Sequence, residues 1–151
     1  MSTIQVSITG DKELVQKLNN FTRDQLDLSR SMGAMSLYLT RFFSGEVFAS
    51  RGQVIGKPWP ALNPNYAAYK ARKWPGRPPL MRSGLMNRSF KFKSTKLTTS
   101  LWNEAKYFDY HNEGRGVPER VMMLVDGQRE KRIVKYVVSD LTRQMSKAGL
   151  I

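Results

Sequence analysis

The chain has 151 residues and a formal net charge of +13, with 25 Lys and Arg residues against 12 Asp and Glu residues. This length predicts a single domain, residues 1–151, with enough chain to bury a core. The lack of cysteine excludes disulfides and thiolate metal sites, and no apolar run approaches the roughly 20 residues that span a bilayer. We therefore expect a basic protein with no cofactor and no membrane partner.

The first part of the chain predicts a strand followed by two helices. Residues 4–8 alternate apolar and polar side chains, which is typical of a strand. Asp11 can cap a helix over residues 12–26. A second helix is expected from about Leu28 to Phe48, because apolar residues recur there at steps of three and four.

Residues 55–79 contain all but one of the prolines and two of the three tryptophans. This composition predicts a long loop or arm over residues 51–79, with a short helix starting at Tyr66. Its aromatic rings would pin the loop to its own domain or to a neighbouring subunit, or alternatively stack on unpaired bases. We expect five of its residues at a subunit or partner interface: Trp59, Leu62, Tyr66, Tyr69 and Trp74.

The same part of the sequence carries most of the excess positive charge. Residues 47–103 contain eleven Lys or Arg residues and no Asp or Glu, so this acid-free segment alone contributes +11. A surface of this kind attracts polyanions, either nucleic acid or an acidic protein surface, but basicity alone gives no specificity. We expect its cations to form one positive face in the assembled state: Lys57, Lys70, Arg72, Lys73, Arg77, Arg82, Arg88, Lys91 and Lys93.

The second half predicts a hairpin, a short helix, a strand and a last helix. Residues 90–101 alternate about a turn, which is typical of a hairpin. Residues 107–114 suit a short helix or turn closed by Gly114, and residues 120–125 suit a strand. The apolar stripe of the last helix is expected at Val134, Val137, Val138, Leu141 and Met145. The whole order predicts an α+β fold: a mainly antiparallel sheet packed against helices, with a long proline-rich loop and a C-terminal helix.

No constellation of residues in the sequence predicts an enzyme. His111 is the only histidine, and no acid-rich cluster has the spacing of metal ligands. His111 with Glu113, Arg115 and Arg120 could form the acid–base set of a small ribonuclease, but chance pairs of this kind are expected in so basic a chain. We therefore predict a non-enzymatic protein in which His111 is structural.

Several short motifs follow one another in a fixed order. "RFFSGEVF" precedes a "G-x-x-W-x-x-L" loop, then come a Tyr and a Lys, a "SGLMNRSF" element, "YFDYHNEG" and "P-x-R". Over roughly residues 41–145 this order resembles the phage virion morphogenesis, or tail completion, family of tailed bacteriophages, including Mu-like ones. Phe108 and the segment after Pro118 depart from the family pattern, which leaves the packing of that segment open. The matching residues are Gly56, Trp59, Leu62, Tyr66, Tyr69, Lys70, Leu80, Ser83, Gly84, Leu85, Ser89, Tyr107, His111, Gly114, Pro118 and Arg120.

The resemblance implies a structural virion protein at the head-proximal end of the tail or in the neck. Such proteins complete, or terminate, the tail so that it can join the head, and they resemble tail terminators that form rings of roughly six copies. The implied partners are copies of the chain itself, the tail tube and neck or connector proteins, with transient contact to DNA in the channel as a further expectation. The implied location is the virion, after assembly in the host cytoplasm. Gly84, His111, Gly114 and Arg120 would be structural motif residues. The alternatives are a basic nucleic-acid-binding module and a small ribonuclease.

Overall fold

The computed structural model describes residues 1–7, 26–148 and 151. In this part of the chain a three-stranded antiparallel sheet packs against helices, which is the α+β fold predicted. The sheet has the order β1-β3-β2, with β1 at Thr3–Ser7, β2 at Phe90–Ser94 and β3 at Thr98–Asn103. The helices are α1 (Ser29–Arg41), α2 (Pro64–Lys73), α3 (Leu85–Arg88), α4 (Phe108–Glu113) and α5 (Gly127–Lys147). The helix predicted over residues 12–26 lies, apart from Leu26, outside the described residues.

The hairpin predicted from the alternating pattern is formed by β2 and β3. Phe92 lies opposite Leu101, and the turn is closed by a 2.8 Å bond from the Thr95 amide to the Thr98 carbonyl. β1 pairs with the other edge of β3, with Ile4 opposite Leu101. Alternate residues of β3 are buried, from Thr99 to Asn103, so one face of the sheet is turned to the core.

Helix α1 lies across that inner face of the sheet. Met32, Met35 and Leu39 recur at steps of three and four and are buried, as the sequence pattern predicts. On the same side, the Ser36 hydroxyl forms a hydrogen bond with the Thr99 hydroxyl of β3. This pairing satisfies two buried polar groups at the contact between helix and sheet.

Helix α1 continues as a π-helical segment, Phe42–Glu46, and ends in the turn Val47–Ala49, close to the predicted boundary at Phe48. The Val47 amide donates to the Phe42 carbonyl, five residues back, and this wider turn changes the direction of the side chains that follow. The adjacent Phe42 and Phe43 are both buried. Phe43 packs 6.0 Å from Phe90 of β2, while the Arg129 guanidinium lies 4.2 Å from the centroid of the Phe42 ring.

The last helix, α5, is confirmed, but its apolar stripe is rotated from the one predicted. Val134 and Val138 are each 53% exposed, so their assignment to the inner stripe was wrong. Asp140 accepts a 3.3 Å hydrogen bond from the Ser31 amide and so helps to set the rotation of α5 against α1. One helical position changes the direction of a side chain by about 100°. The residues turned inward are Arg129, Ile133, Val137, Asp140 and Leu141.

The strand predicted over residues 120–125 is also wrong, because these residues form no strand. Three of their backbone groups bond to side chains, and the Arg120 amide bonds to the His111 carbonyl. The Asn112 amide oxygen accepts hydrogen bonds from the Met122 and Met123 amides at 2.9 and 3.2 Å. The Val121 carbonyl accepts one from the Trp59 indole at 2.8 Å. At these positions the bonds take the place of those that a neighbouring strand would form.

The proline-rich stretch contains the short helix expected from Tyr66, which begins two residues earlier, at Pro64. A 3₁₀ turn at Gln53–Ile55 is followed by α2, which the Asn63 side chain caps by accepting from the Asn65 amide at 3.0 Å. Between them the Trp59 ring packs edge-on against Phe48, with 5.4 Å between ring centroids. Trp59 therefore ties the stretch to its own chain, as one of the two sequence interpretations proposed.

We expect Trp59→Ala to lower the free energy of unfolding by roughly 2–4 kcal/mol, because it removes a half-buried ring and its hydrogen bond. Trp59→Phe keeps most of the ring and should cost about 1 kcal/mol for the lost hydrogen bond. Urea unfolding followed by circular dichroism measures both changes. Trp74→Ala is the control and should stay within about 1 kcal/mol. Equal losses from Trp59→Ala and Trp74→Ala would contradict the anchoring role of Trp59.

Candidate functional site

A pocket of about 310 Å³ lies where α2, the start of α3, α4 and the segment after α4 meet. We call it the cationic pocket. Apart from Arg82 and Met86, every described residue that lines it is one of the residues that match the family pattern, although these residues are spread over positions 62 to 120. The lining residues are Leu62, Tyr66, Lys70, Leu80, Arg82, Ser83, Met86, Tyr107, His111 and Arg120.

Lys70 lies on the inner side of α2 and is only 4% exposed. Its ammonium group donates a hydrogen bond to the Pro78 carbonyl. Burial lowers the pKa of Lys70, and the positive charges of Arg51, Arg120 and Arg77 lower it further. The prediction that Lys70 belongs to the positive face is therefore wrong, because its side chain is buried.

Arg120 is 5% exposed and joins the pocket to the proline-rich stretch. Its Nε and Nη2 atoms donate to the Pro60 carbonyl at 3.2 and 3.0 Å, and Nη2 also donates to the Ala61 carbonyl at 3.2 Å. Burial lowers the pKa of Arg120 from its usual very high value, yet an arginine stays protonated in proteins. Within the described residues neither Lys70 nor Arg120 forms an ion pair with a carboxylate.

His111 of α4 forms another part of the wall. Burial lowers its pKa, and the positive charge of Arg120 adds to this effect. The buried Nδ1 atom of its ring has no hydrogen-bond partner among the described residues. A backbone hydrogen bond also joins His111 to Arg120, since the Arg120 amide donates to the His111 carbonyl at 2.8 Å.

Gly114 and Gly84 shape the chain on either side of this wall. Gly114 ends α4 with a φ of +70°, and a Cβ there would stand 2.9 Å from the Cβ of Glu119. The glycine is thus required for the close return of the chain that brings Arg120 back to His111. Gly84, with a φ of +76°, precedes α3, and its carbonyl accepts a 3.0 Å hydrogen bond from the Nε of Arg88.

The residues of the hypothetical ribonuclease site are only partly brought together. His111 and Arg120 meet, but Glu113 pairs with Arg115 and also accepts a 2.5 Å hydrogen bond from the Ser2 hydroxyl. Within the described residues there is no group of three His, Cys, Asp or Glu side chains that could hold a metal ion.

The outer side of α2 presents an aromatic patch, which we define as Tyr66, Tyr69 and Trp74. Tyr66 and Tyr69 are 41% and 44% exposed, with 6.3 Å between their ring centroids. Trp74 is half-buried and meets Tyr69 edge-on at 6.0 Å, while the Arg82 guanidinium lies 5.4 Å from the Trp74 ring centroid. Three of the five predicted interface residues therefore form one patch, whereas Trp59 packs inside the chain and Leu62 lines the cationic pocket.

The predicted basic residues other than Lys70 are exposed, and they lie on three elements and in loops. Arg72 and Lys73 lie on α2, while Lys91 and Lys93 lie on β2. The remaining exposed residues of this group lie in loops or on α3: Lys57, Arg77, Arg82 and Arg88. None of the helices in the described ranges is both long and apolar enough to cross a membrane.

Comparison of the chain with protein-family models, with curated proteins and with solved structures finds no match in any of the three. The site is therefore interpreted from its own geometry. Its backbone acceptors, the carbonyls of Pro60, Ala61 and Pro78, were missed from the sequence, as was the role of Asn112. The prolines were the available signal, because they interrupt regular structure and leave neighbouring carbonyls free to accept other donors.

We expect Lys70→Met to leave the free energy of unfolding at pH 7 unchanged or to raise it by up to about 2 kcal/mol, because it removes a buried charge among other cations. Chemical denaturation measures the change. Lys73→Met, on the exposed side of the same helix, is the matched control and should stay within about 0.5 kcal/mol. A loss of more than about 1.5 kcal/mol in Lys70→Met would show that the ammonium stabilises the fold.

The lowered pKa of His111 makes its contribution to stability dependent on pH. The unfolded chain binds the proton more readily, so stability is lost as the pH falls below the ordinary histidine value of about 6.5. Wild type should therefore lose more stability than His111→Gln between about pH 7.5 and 5. Parallel urea titrations at several pH values test this. A difference between the two proteins that does not vary with pH would contradict the assignment.

Proposed function

We propose that this chain is a structural subunit of a tailed-phage virion, at the head-proximal end of the tail or in the neck. It completes the tail as a ring of copies and provides the surface to which the head joins. Its partners are copies of itself, the tail tube and the neck or connector proteins. The observation that supports this most strongly is the meeting of the motif residues, from Leu62 to Arg120, around one pocket under α2.

The aromatic patch supports a role in assembly. Tyr, Trp and Arg are enriched at the centres of protein interfaces, and here Tyr66, Tyr69 and Trp74 lie together with Arg82. The inner side of the same helix meets the rest of the chain at Lys70, whose ammonium donates to the Pro78 carbonyl. The patch is therefore suited to a contact between subunits that closes into a ring.

The exposed cations beside the patch suit partners with negative surfaces. Arg72 and Lys73 continue the exposed side of α2, and the segment from residue 47 to residue 103 contains no carboxylate to offset them. An acidic surface of the tube or connector would complement this part of the chain. Lys91 and Lys93 on the hairpin are placed for weak, sequence-independent contact with DNA in the channel.

The ring and the patch are tested together by native mass spectrometry and negative-stain imaging. We expect a ring of fixed copy number from the wild type. The double variant Tyr66→Ser, Tyr69→Ser should weaken assembly at least about tenfold, because it removes two aromatic anchors. Tyr110→Ser is the control, since Tyr110 is exposed on α4 outside the patch. Assembly that is unchanged in the double variant would contradict the patch as the interface.

A nucleic-acid-binding module is the second candidate, and one observation favours it. Exposed rings beside exposed cations are also the arrangement that stacks on unpaired bases. A chain that stays monomeric and retards single-stranded DNA at moderate salt, with loss of binding in the double tyrosine variant, would favour this function over the virion subunit.

A further inference from the structure

We propose that the cationic pocket is a binding site for a single oxyanion, the carboxylate or phosphate group of a ligand that also has a small apolar portion. The inference stands apart from the proposed function, because it rests only on groups within this chain. It concerns the pocket at buried Lys70, whereas the proposed ring contact concerns the aromatic patch, and Tyr66 belongs to both.

The pocket holds an excess of positive charge. Lys70, Arg82 and Arg120 line it, and among the described residues that line it there is no Asp or Glu. Lys70 and Arg120 are both buried, and their partners within the described residues are backbone carbonyls, which satisfy hydrogen bonds but carry no net charge. Buried cations without a counterion are unfavourable, and a bound anion would remove this penalty.

Donors for such an anion remain available in the same walls. Lysine has three N–H donors and arginine has five, and the Nη1 atom of Arg120 has no acceptor among the described residues. Tyr66, Ser83 and Tyr107 also line the pocket, and each side chain carries a hydroxyl group that can donate a hydrogen bond. This set offers charged donors together with neutral ones, which is the chemistry that holds a carboxylate or a phosphate.

The shape of the pocket favours one anionic group over a nucleic-acid backbone. Leu62, Leu80 and Met86 line part of the wall, so the volume of about 310 Å³ also offers an apolar surface to the rest of a ligand. The phosphates of a duplex instead repeat along an extended surface and are met by exposed cations. The oxyanion can belong to a free small molecule or to an acidic side chain of another chain. Tyr66 belongs to both the pocket and the aromatic patch, so a chain that docks on the patch would lie beside the pocket.

His111 gives a specific probe, because it is the only histidine and lines the pocket. Its imidazole signals are followed by NMR while sodium phosphate or sodium acetate replaces sodium chloride at constant ionic strength. We expect a saturable shift of these signals and a rise in the pKa of His111 with each anion, because a nearby negative charge favours the protonated ring.

Two matched variants connect this response to the pocket. Lys70→Met should raise the half-saturating phosphate concentration about tenfold or more, since it removes a buried charged donor. Lys73→Met, on the exposed side of the same helix, should change it less than about twofold. Equal responses in wild type and Lys70→Met would overturn the proposal, and so would the absence of a saturable shift with either anion.

A dilution series without added oxyanion separates the two sources. A His111 shift that grows with protein concentration and is reversed by phosphate assigns the carboxylate to a second copy of the chain. If the His111 signals do not change with protein concentration but still respond to phosphate or acetate, the site belongs to a free ligand or to a different partner. A His111 shift produced by duplex DNA but by neither small anion would overturn the single-oxyanion site. Ring formation is measured separately, so either proposal can fail alone.

Discussion

The contact between Arg120 and the carbonyls of Pro60 and Ala61 is the interaction on which the arrangement of the site depends. It joins two parts of the chain that are 60 positions apart, at distances of 3.0 to 3.2 Å. The hydrogen bond from the Lys70 ammonium to the Pro78 carbonyl joins α2 to the segment that follows it. The prolines thus have a physical role, because they keep these segments out of regular structure and leave carbonyls free for two buried cations.

These contacts provide hydrogen bonds without neutralising charge. A carbonyl accepts a hydrogen bond from a guanidinium or an ammonium, but the positive charge remains in a poorly solvated place. The direction of the pKa changes of Lys70, His111 and Arg120 follows from this, because burial disfavours the charged form of each group. Groups whose pKa is shifted by burial are common at functional sites. The inner side of α2 therefore carries a buried positive charge, and its outer side carries exposed aromatic rings.

The sequence predicted the elements with a strong periodicity. It failed at residues 120–125, where side chains take the place of a neighbouring strand, and at α5, where a shift of one helical position changes which residues are buried. The hairpin, α1 and α5 follow from alternation or from steps of three and four. Residues 120–125 have the composition of a strand, but Asn112 and Trp59 bond to three of their backbone groups, and this pairing is invisible in the sequence. A count of charges likewise could not reveal which lysine of α2, Lys70 or Lys73, is buried.

The motif residues were identified from the sequence, whereas their meeting in one pocket required the fold. A map of the chain in its native assembly, at a resolution that shows side chains, tests the account most directly. The account predicts that Tyr66 and Tyr69 lie against a neighbouring chain, and that a carboxylate or phosphate lies within hydrogen-bond distance of Lys70 Nζ and the Arg120 guanidinium. A map in which both tyrosines face solvent, and in which no negatively charged group enters the pocket, would contradict it.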